Sequence, residues 1–324
     1  MNINGRIDTG APVISLCCEN LPDIPKIPFS ETAEETLERF VGLRTMVVAE
    51  SLRRTGGTHF SCRDCANYQP SELTMNPFIS YVNLSMYPAP CQCRCRYCSV
   101  YKDVQKFTPE AETAYNKLFD MLELGKESGV IEPNAAWQIS TGEITIHPYR
   151  ERIMSLVKGQ RATFYTNAFL FNESIAQNLH DNPASAINLS IDAGTPKTWY
   201  EVKGVDNFDT VTTNLVQYYK SSARPGQISL KYIILPDIND NLEDFQSVIK
   251  IMKILEVPHL TLAFDVGKKY NYSTEEHTKL LGAAGYLLAM CYKNNITNDM
   301  FLFSPQDRQQ AMENAQEILQ KQLV

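Results

Sequence analysis

From residue 79 onward the chain repeats one pattern: a short apolar run, then a longer stretch with apolar positions at helical spacing. The runs cover residues 79–85, 136–140, 162–166, 186–192, 227–235 and 260–266. Helices are predicted between and after them, over about 109–128, 148–158, 173–180, 196–219, 242–255 and 274–294. In the first helix Ala114, Leu118, Met121 and Leu122 share one side. Strands alternating with helices call for parallel pairing and right-handed crossovers, the logic of an α/β barrel. Six such units fall short of the eight that close a barrel. The predicted fold class is therefore α/β, a partial (β/α)6 TIM-type barrel open on one side.

The flanks differ from this core. Residues 1–29 hold Pro12, Pro22, Pro25 and Pro28 and read as an extended arm lying on the body. A helix starts near Ser30, where Thr32 and Glu35 have capping-box spacing, with Leu37, Phe40, Val41, Val48 and Leu52 as its apolar positions. Gly56-Gly57 stops it. Residues 300–324 read as a short strand at 301–303 and a last helix facing the body through Ala311, Ala315, Ile318 and Leu319. The expected division is an N-terminal extension (1–75), a barrel core (76–295) and a C-terminal strand and helix (296–324).

Composition changes this picture little. With 44% apolar and 21% charged residues the chain is a core-forming globular protein. A formal net charge of −7, without a long Lys/Arg run, argues against nucleic acid or an anionic membrane as partner. No apolar run approaches the ~20 residues that span a bilayer, and the N-terminus lacks a secretory pattern. The nine cysteines then read as metal ligands or free thiols in a reducing cytoplasm.

The cysteines carry the chemistry. Cys91, Cys95 and Cys98 stand at C-x3-C-x2-C on one short loop after the first strand of the repeat. Three thiolates so spaced suit three irons of a cubane cluster and leave the fourth iron open; a zinc site on the same loop would want four closed ligands. Cys93 falls inside the spacing as a bystander. A second pair, Cys62 and Cys65, is a candidate second metal site (zinc or iron–sulfur), with Cys17, Cys18 or His59 able to complete it. A redox dithiol and two inert thiols are the alternatives for that pair.

C-x3-C-x2-C with the aromatic Tyr97 before the last cysteine resembles the radical S-adenosylmethionine superfamily, over roughly residues 76–295. The resemblance implies a six-unit partial barrel, a 4Fe–4S cluster on Cys91, Cys95 and Cys98, and S-adenosylmethionine chelating the open iron. Thr141-Gly142-Glu143 resembles the family's Gly-Gly-Glu element, so Gly142 and Glu143 would hold the amino group of the methionine moiety. Ser190 and Asp192 resemble its Ser-x-Asp, contacting carboxylate or ribose; by alternation they share a face. Lys203 would set a positive charge against the methionine carboxylate, or else is a solvated surface lysine. Family analogy puts adenine contacts at Ile234, Leu235 and Phe264.

Other polar residues fall at strand ends, where barrels bind ligands. Asn167 reads as a ribose contact or a turn asparagine, and Asp265 as a substrate contact or a cap. His147 lines the turn after Glu143, and Cys291 reads as core. Lys231, inside a strand, needs a partner or a path to solvent. The expected activity is reductive cleavage of S-adenosylmethionine to a 5′-deoxyadenosyl radical that takes a hydrogen atom from a small-metabolite or sugar-containing substrate. Flavodoxin or ferredoxin would supply the electron. A peptide or protein substrate is the alternative within this chemistry, and a non-catalytic electron-transfer or scaffold protein the alternative outside it.

Overall fold

The computed structural model describes residues 2–8, 11–15, 26–52, 78–85, 89–98, 107–265, 267–268 and 271–321. Cys17, Cys18, His59, Cys62 and Cys65 lie outside the described residues, and the expected second metal site with them. The fold is α/β, a partial TIM-type barrel. The chain forms two compact units, Met1–Pro90 with Val104–Thr163 and Cys91–Asp103 with Phe164–Val324.

In the first unit β1 (Asn2–Asp8), β2 (Ala11–Ser15) and β3 (Lys26–Pro28) form an antiparallel meander. Strand β1 runs parallel to β4 (Ile79–Ser85), with Asn2 opposite Tyr81. The sequence reads this region as an arm; its described parts are instead hydrogen-bonded into the sheet. Ile14 and Ile27 are buried, so apolar alternation outweighs the prolines, and Pro28 ends its strand, where a missing N–H does least harm.

Helix α1 (Ala33–Leu52) is capped by Thr32, whose hydroxyl accepts from the Glu35 N–H at 3.2 Å. The Glu35 carboxylate turns to Arg39 at 2.7 Å, leaving the capping box half made. Helix α2 (Pro109–Glu127) starts on Thr108 with Pro109 in its first turn and buries Ala114, Leu118, Met121 and Leu122 as its spacing predicts. Strand β5 (Ile131–Ser140) pairs parallel with β4 and begins well before the predicted run, because Glu132, Pro133 and Asn134 carry no strand pattern. Helix α3 (Arg150–Val157) completes this unit.

Strand β6 (Arg161–Thr166) lies at the division between the units. The second unit continues with α4 (Glu173–Asp181), β7 (Ala186–Ser190), α5 (Pro196–Lys203), α6 (Phe208–Ser221), β8 (Ile228–Ile234) and α7 (Leu242–Ile254). It ends with β9 (His259–Phe264), α8 (Thr274–Lys293), β10 (Thr297–Phe301) and α9 (Pro305–Lys321). Its strand order is β10-β9-β8-β7-β6, and the pairs β7–β8, β8–β9 and β9–β10 are parallel. Side chains of Asn172, Thr195, Asn241 and Ser273 cap α4, α5, α7 and α8.

Three departures from the sequence reading matter. The helix predicted over 196–219 is two helices, because Gly204 ends α5 in the left-handed conformation at φ +69°. Strand β7 stops at Ser190, two residues early, and Asp192 sits at φ +45°. The C-terminal strand is Thr297–Phe301 and parallel to β9, a seventh parallel strand beyond the six predicted. Its sequence TNDMF is too polar to signal a strand. Helix α9 packs on α8 so closely that a Cβ on Gly285 would lie 2.5 Å from the Asn314 Cβ, and Ala311 and Ala315 are buried there. No helix among the described residues is long and apolar enough to cross a membrane.

Candidate active site

In the second unit the cysteine loop lies against the C-terminal end of α5. The Arg94 N–H donates to the Lys203 carbonyl at 2.7 Å and the Arg96 N–H to the Val202 carbonyl at 3.0 Å. These bonds satisfy carbonyls that a helix end leaves open. They also need a residue without a side chain after Lys203, because a Cβ on Gly204 would come 2.9 Å from the Arg94 Cβ. Cys91, Cys95 and Cys98 are half-buried, and Cys93 is buried. The Cys93 thiol hydrogen-bonds with Cys91 and Cys95, which raises its own pKa far above the ordinary thiol value. The same bond from Cys93 lowers Cys95 to about 6; burial opposes this, and the Lys203 charge assists it. The Asn167 amide donates to the Cys91 sulfur at 3.7 Å.

Beneath the loop Tyr97, Asp192 and Lys203 form an enclosed ionic cluster. The Lys203 ammonium lies 2.5 Å from Asp192 Oδ2 and 2.7 Å from the Tyr97 oxygen, and the Tyr97 hydroxyl lies 2.6 Å from Asp192 Oδ2. Asp192 Oδ1 accepts from the Ile233 N–H at 2.6 Å. The side chain of Lys203 is 2% exposed and that of Asp192 fully buried, so Lys203 is no surface lysine. Burial disfavours the ammonium, but Asp192 and Cys95 outweigh it and leave its pKa raised. Tyr97 is held well above the ordinary phenol range by burial, then by Asp192 and Cys95. The left-handed backbone at Asp192 ends the strand alternation, so the shared face expected for Ser190 and Asp192 does not follow.

In the first unit Gly142 and Glu143 make a turn on Ala89-Pro90. The Glu143 N–H donates to the Pro90 carbonyl at 2.8 Å. A Cβ on Gly142 would stand 2.5 Å from that oxygen, and its φ of +34° disfavours a side chain besides. The Glu143 side chain is fully buried, and its Oε1 accepts from the Thr145 N–H at 3.0 Å and the Thr145 hydroxyl at 2.8 Å. These bonds fix the direction of its carboxylate. His147 is buried among Phe107, Tyr115 and Tyr149, accepts from the Tyr149 N–H at 3.1 Å, and is lowered to about 4 by burial.

The remaining predicted residues are placed as follows. Asn167 caps its own turn, accepting from the Phe169 N–H at 2.9 Å, as well as meeting Cys91. Ser190 ends β7 and is half-buried. Phe264 is buried against Phe303, with ring centroids 3.7 Å apart, and meets Tyr272 and His277 edge-on. Ile234 and Leu235 are buried. Asp265 accepts from the Gly267 N–H at 2.8 Å, closing its own turn, while Ser273 caps α8. Cys291 is buried in α8, which pushes its thiol up to about 12.

Sequence reasoning missed two supporting residues. Asn239, fully buried, accepts from the Leu235 N–H and donates to the Asp192 and Ile233 carbonyls, at 2.7, 2.8 and 2.8 Å. Asp244 accepts from the Gly194 and Thr195 N–H groups at 2.7 and 3.0 Å and so fixes the entry to α5. Both occur in stretches that read as ordinary turns and caps.

Comparison with known proteins bears on the family and the fold. The model of the radical SAM superfamily matches residues 90–252. A GTP 3′,8-cyclase of Acaryochloris marina (strain MBIC 11017) is 27% identical over 176 residues, covering 50% of this chain and 50% of that protein. A GTP 3′,8-cyclase of Alkaliphilus metalliredigens (strain QYMF) is 23% identical over 183 residues, 54% of each. The chain thus spans about half the length of the curated relatives it matches. Streptococcus suis SuiB bound to S-adenosylmethionine shares the fold, with a TM-score of 0.50 at 15% identity over 88% of this chain and 70% of that one. With the cysteine loop, the parallel strands and a family match over half its length, the chain belongs to the radical SAM superfamily and is an enzyme of that type.

Proposed function

We propose that this enzyme holds a 4Fe–4S cluster on Cys91, Cys95 and Cys98, cleaves S-adenosylmethionine reductively, and acts on a small polar or sugar-containing metabolite. The observation that carries the reading is the cysteine loop itself, pinned by two backbone hydrogen bonds to α5 above the Asp192–Lys203–Tyr97 cluster. When bound, cluster and S-adenosylmethionine supply one-electron cleavage of a carbon–sulfur bond and a radical able to take a hydrogen atom from substrate.

The donors fit such a group. Cys95 is lowered to about 6, which favours the thiolate that binds iron, and Asn167 places an N–H on the Cys91 sulfur. Lys203 in this reading supplies buried positive charge near the thiolates, and Asp192 fixes its position. Glu143, aimed by Thr145, accepts from the ammonium of S-adenosylmethionine, and Gly142 lets its turn seat against Pro90. Asn167, Ser190 and Phe264 stay as proposed contacts to the rest of that molecule. The curated relatives are named for a small-molecule substrate, GTP, which supports a metabolite over a peptide. Flavodoxin or ferredoxin is the proposed electron donor.

The test is anaerobic reconstitution with iron, sulfide, S-adenosylmethionine and a strong reductant. We expect about four irons per chain and release of 5′-deoxyadenosine and methionine. Cys91→Ala, Cys95→Ala and Cys98→Ala should each lose the cluster, whereas Cys93→Ala should retain it. Glu143→Ala should keep its iron but bind S-adenosylmethionine about ten- to a hundredfold more weakly, as expected for a lost charge-assisted hydrogen bond. A cluster-replete parent that neither binds nor cleaves S-adenosylmethionine would sink the proposal.

A further inference from the structure

Strands β7 to β10 carry opposite chemistry on their two faces. One face buries Ile187, Leu189, Leu230, Leu260 and Leu262. Across the other runs one polar row in register: Ser190 opposite Lys231, Lys231 opposite Thr261, Thr261 opposite Asp299. The next row holds Asn188 opposite Ser229. A closed, packed barrel fills this inner face with Val, Ile and Leu. A polar inner face fits a ligand rather than a core.

Lys231 is the unusual member. It is half-buried, and no described acceptor lies within hydrogen-bonding or ion-pairing distance of its ammonium; the Phe301 ring centroid lies 4.9 Å away. Neither nearby carboxylate lies within ion-pairing distance of it, and each has nearer partners. Asp192 is taken by Lys203, Tyr97 and the Ile233 N–H, and Asp299 by His259 at 3.1 Å and by Thr261. Burial pulls the Lys231 pKa down and Lys203 adds to this, against the attraction of Asp192 and Asp299. An ammonium so placed is under-neutralised. One row away Asn188 donates to Ser229 at 3.0 Å while its own buried Oδ1 has no partner. Buried polar groups of this kind are ordinarily paired.

We propose that Lys231 is the recognition cation for the substrate, and that the substrate is a small molecule with an anionic oxygen group, carboxylate or phosphate, seated on Lys231. A hydroxyl or amino group of the same molecule donates to Asn188 Oδ1, about 7 Å away, two residues along neighbouring strands. This specifies the polar metabolite of the proposed function and rests on that reading. A neutral sugar or an apolar side chain would leave Lys231 without a counter-ion and is disfavoured.

The experiment is competitive acetylation of the full chain with acetic anhydride, with labelling at each lysine read by peptide mass spectrometry. Malonate and inorganic phosphate serve as probes, against glycerol and sodium chloride at matched ionic strength. Malonate or phosphate should slow Lys231 labelling by at least about fivefold, the protection of a mostly filled site, while exposed Lys250 is unaffected. Protection by malonate alone assigns a carboxylate, and by phosphate alone a phosphate ester; either supports the proposal. Equal protection by glycerol, no protection beyond sodium chloride, or a Lys231 that never labels would overturn it. Labelling needs no cofactor cleavage, so failure of the radical chemistry is read separately, from 5′-deoxyadenosine release by the parent.

Discussion

Replacing Lys203 with methionine isolates what the enclosed ion pair contributes. Methionine approximates the length and volume of the lysine stem, so the main loss is the ammonium that bridges Asp192 and Tyr97. Asp192 would keep the Tyr97 hydroxyl and the Ile233 N–H but lose its counter-charge inside the protein. Removing one partner of a buried pair costs about 3–5 kcal/mol, because the remaining charge is stranded. At about 2–4 °C per kcal/mol for a domain of this size, Tm should fall by roughly 6–20 °C. Asp192→Asn/Lys203→Met should recover a large part, since no charge is then stranded and the amide oxygen that replaces the carboxylate can still accept. The pH dependence follows from the raised Lys203 pKa. The pair's contribution is fully present below the unfolded lysine value of about 10.4 and is lost as pH rises through the higher folded value. Calorimetric melting of parent, single and double variants gives the coupling directly. A single variant within about 1 kcal/mol of the parent, or a double variant no better than the single, would refute the account.

Three further outcomes follow from the same geometry. Gly142→Ala should cost about 2 kcal/mol or more, from the positive φ and the contact with the Pro90 oxygen, and should appear as a lower Tm whether or not iron is bound. His147 is held neutral by burial with a folded pKa of about 4, so stability should fall by up to about 3 kcal/mol as pH drops from 6.5 towards 4. His147→Asn, whose amide oxygen can replace Nδ1 as acceptor, should flatten that slope in urea midpoints measured across the range. Asn239→Ala strands three buried backbone partners and should cost about 2–4 kcal/mol by urea unfolding; a loss under about 0.5 kcal/mol would mean water replaces the amide.

Much of the candidate site was legible because the residues proposed for it are local in sequence. The spacing of Cys91, Cys95 and Cys98 depends on one loop, and the strand–helix repeat needs only periodicity to be seen. Gly142 was legible in kind, as a close backbone approach, but the group approached, Ala89-Pro90, lies far back in the chain. Positions whose meaning depends on a distant partner were less visible. Lys203 left two readings open, surface charge or cofactor contact, and the structure removes the first by burying the ammonium against Asp192. Two turns of α5 carry it inward, and Gly204 stops the helix where the cysteine loop can bond to its end. Asp192 follows the same rule: alternation extrapolates a strand through it, and a single left-handed residue cancels the extrapolation.

The polar strand faces show the limit from the other side. Lys231 raises the right question in the sequence, since a lysine inside a strand needs a partner. The answer depends on which acceptors neighbouring strands supply and whether those acceptors are already taken. Asp299, two strands across, has the charge to answer it, but His259 and Thr261 hold its carboxylate. Register brings Lys231 and Asp299 into one row, and the strand between them, with two spacings of about 4.8 Å, keeps them unpaired. Sequence spacing encodes the first of these facts only through the fold and the second not at all. What a site lacks is therefore harder to read from a sequence than what it holds. On this inner face, what Lys231 lacks defines the ligand: it must bring the negative charge that the protein withholds.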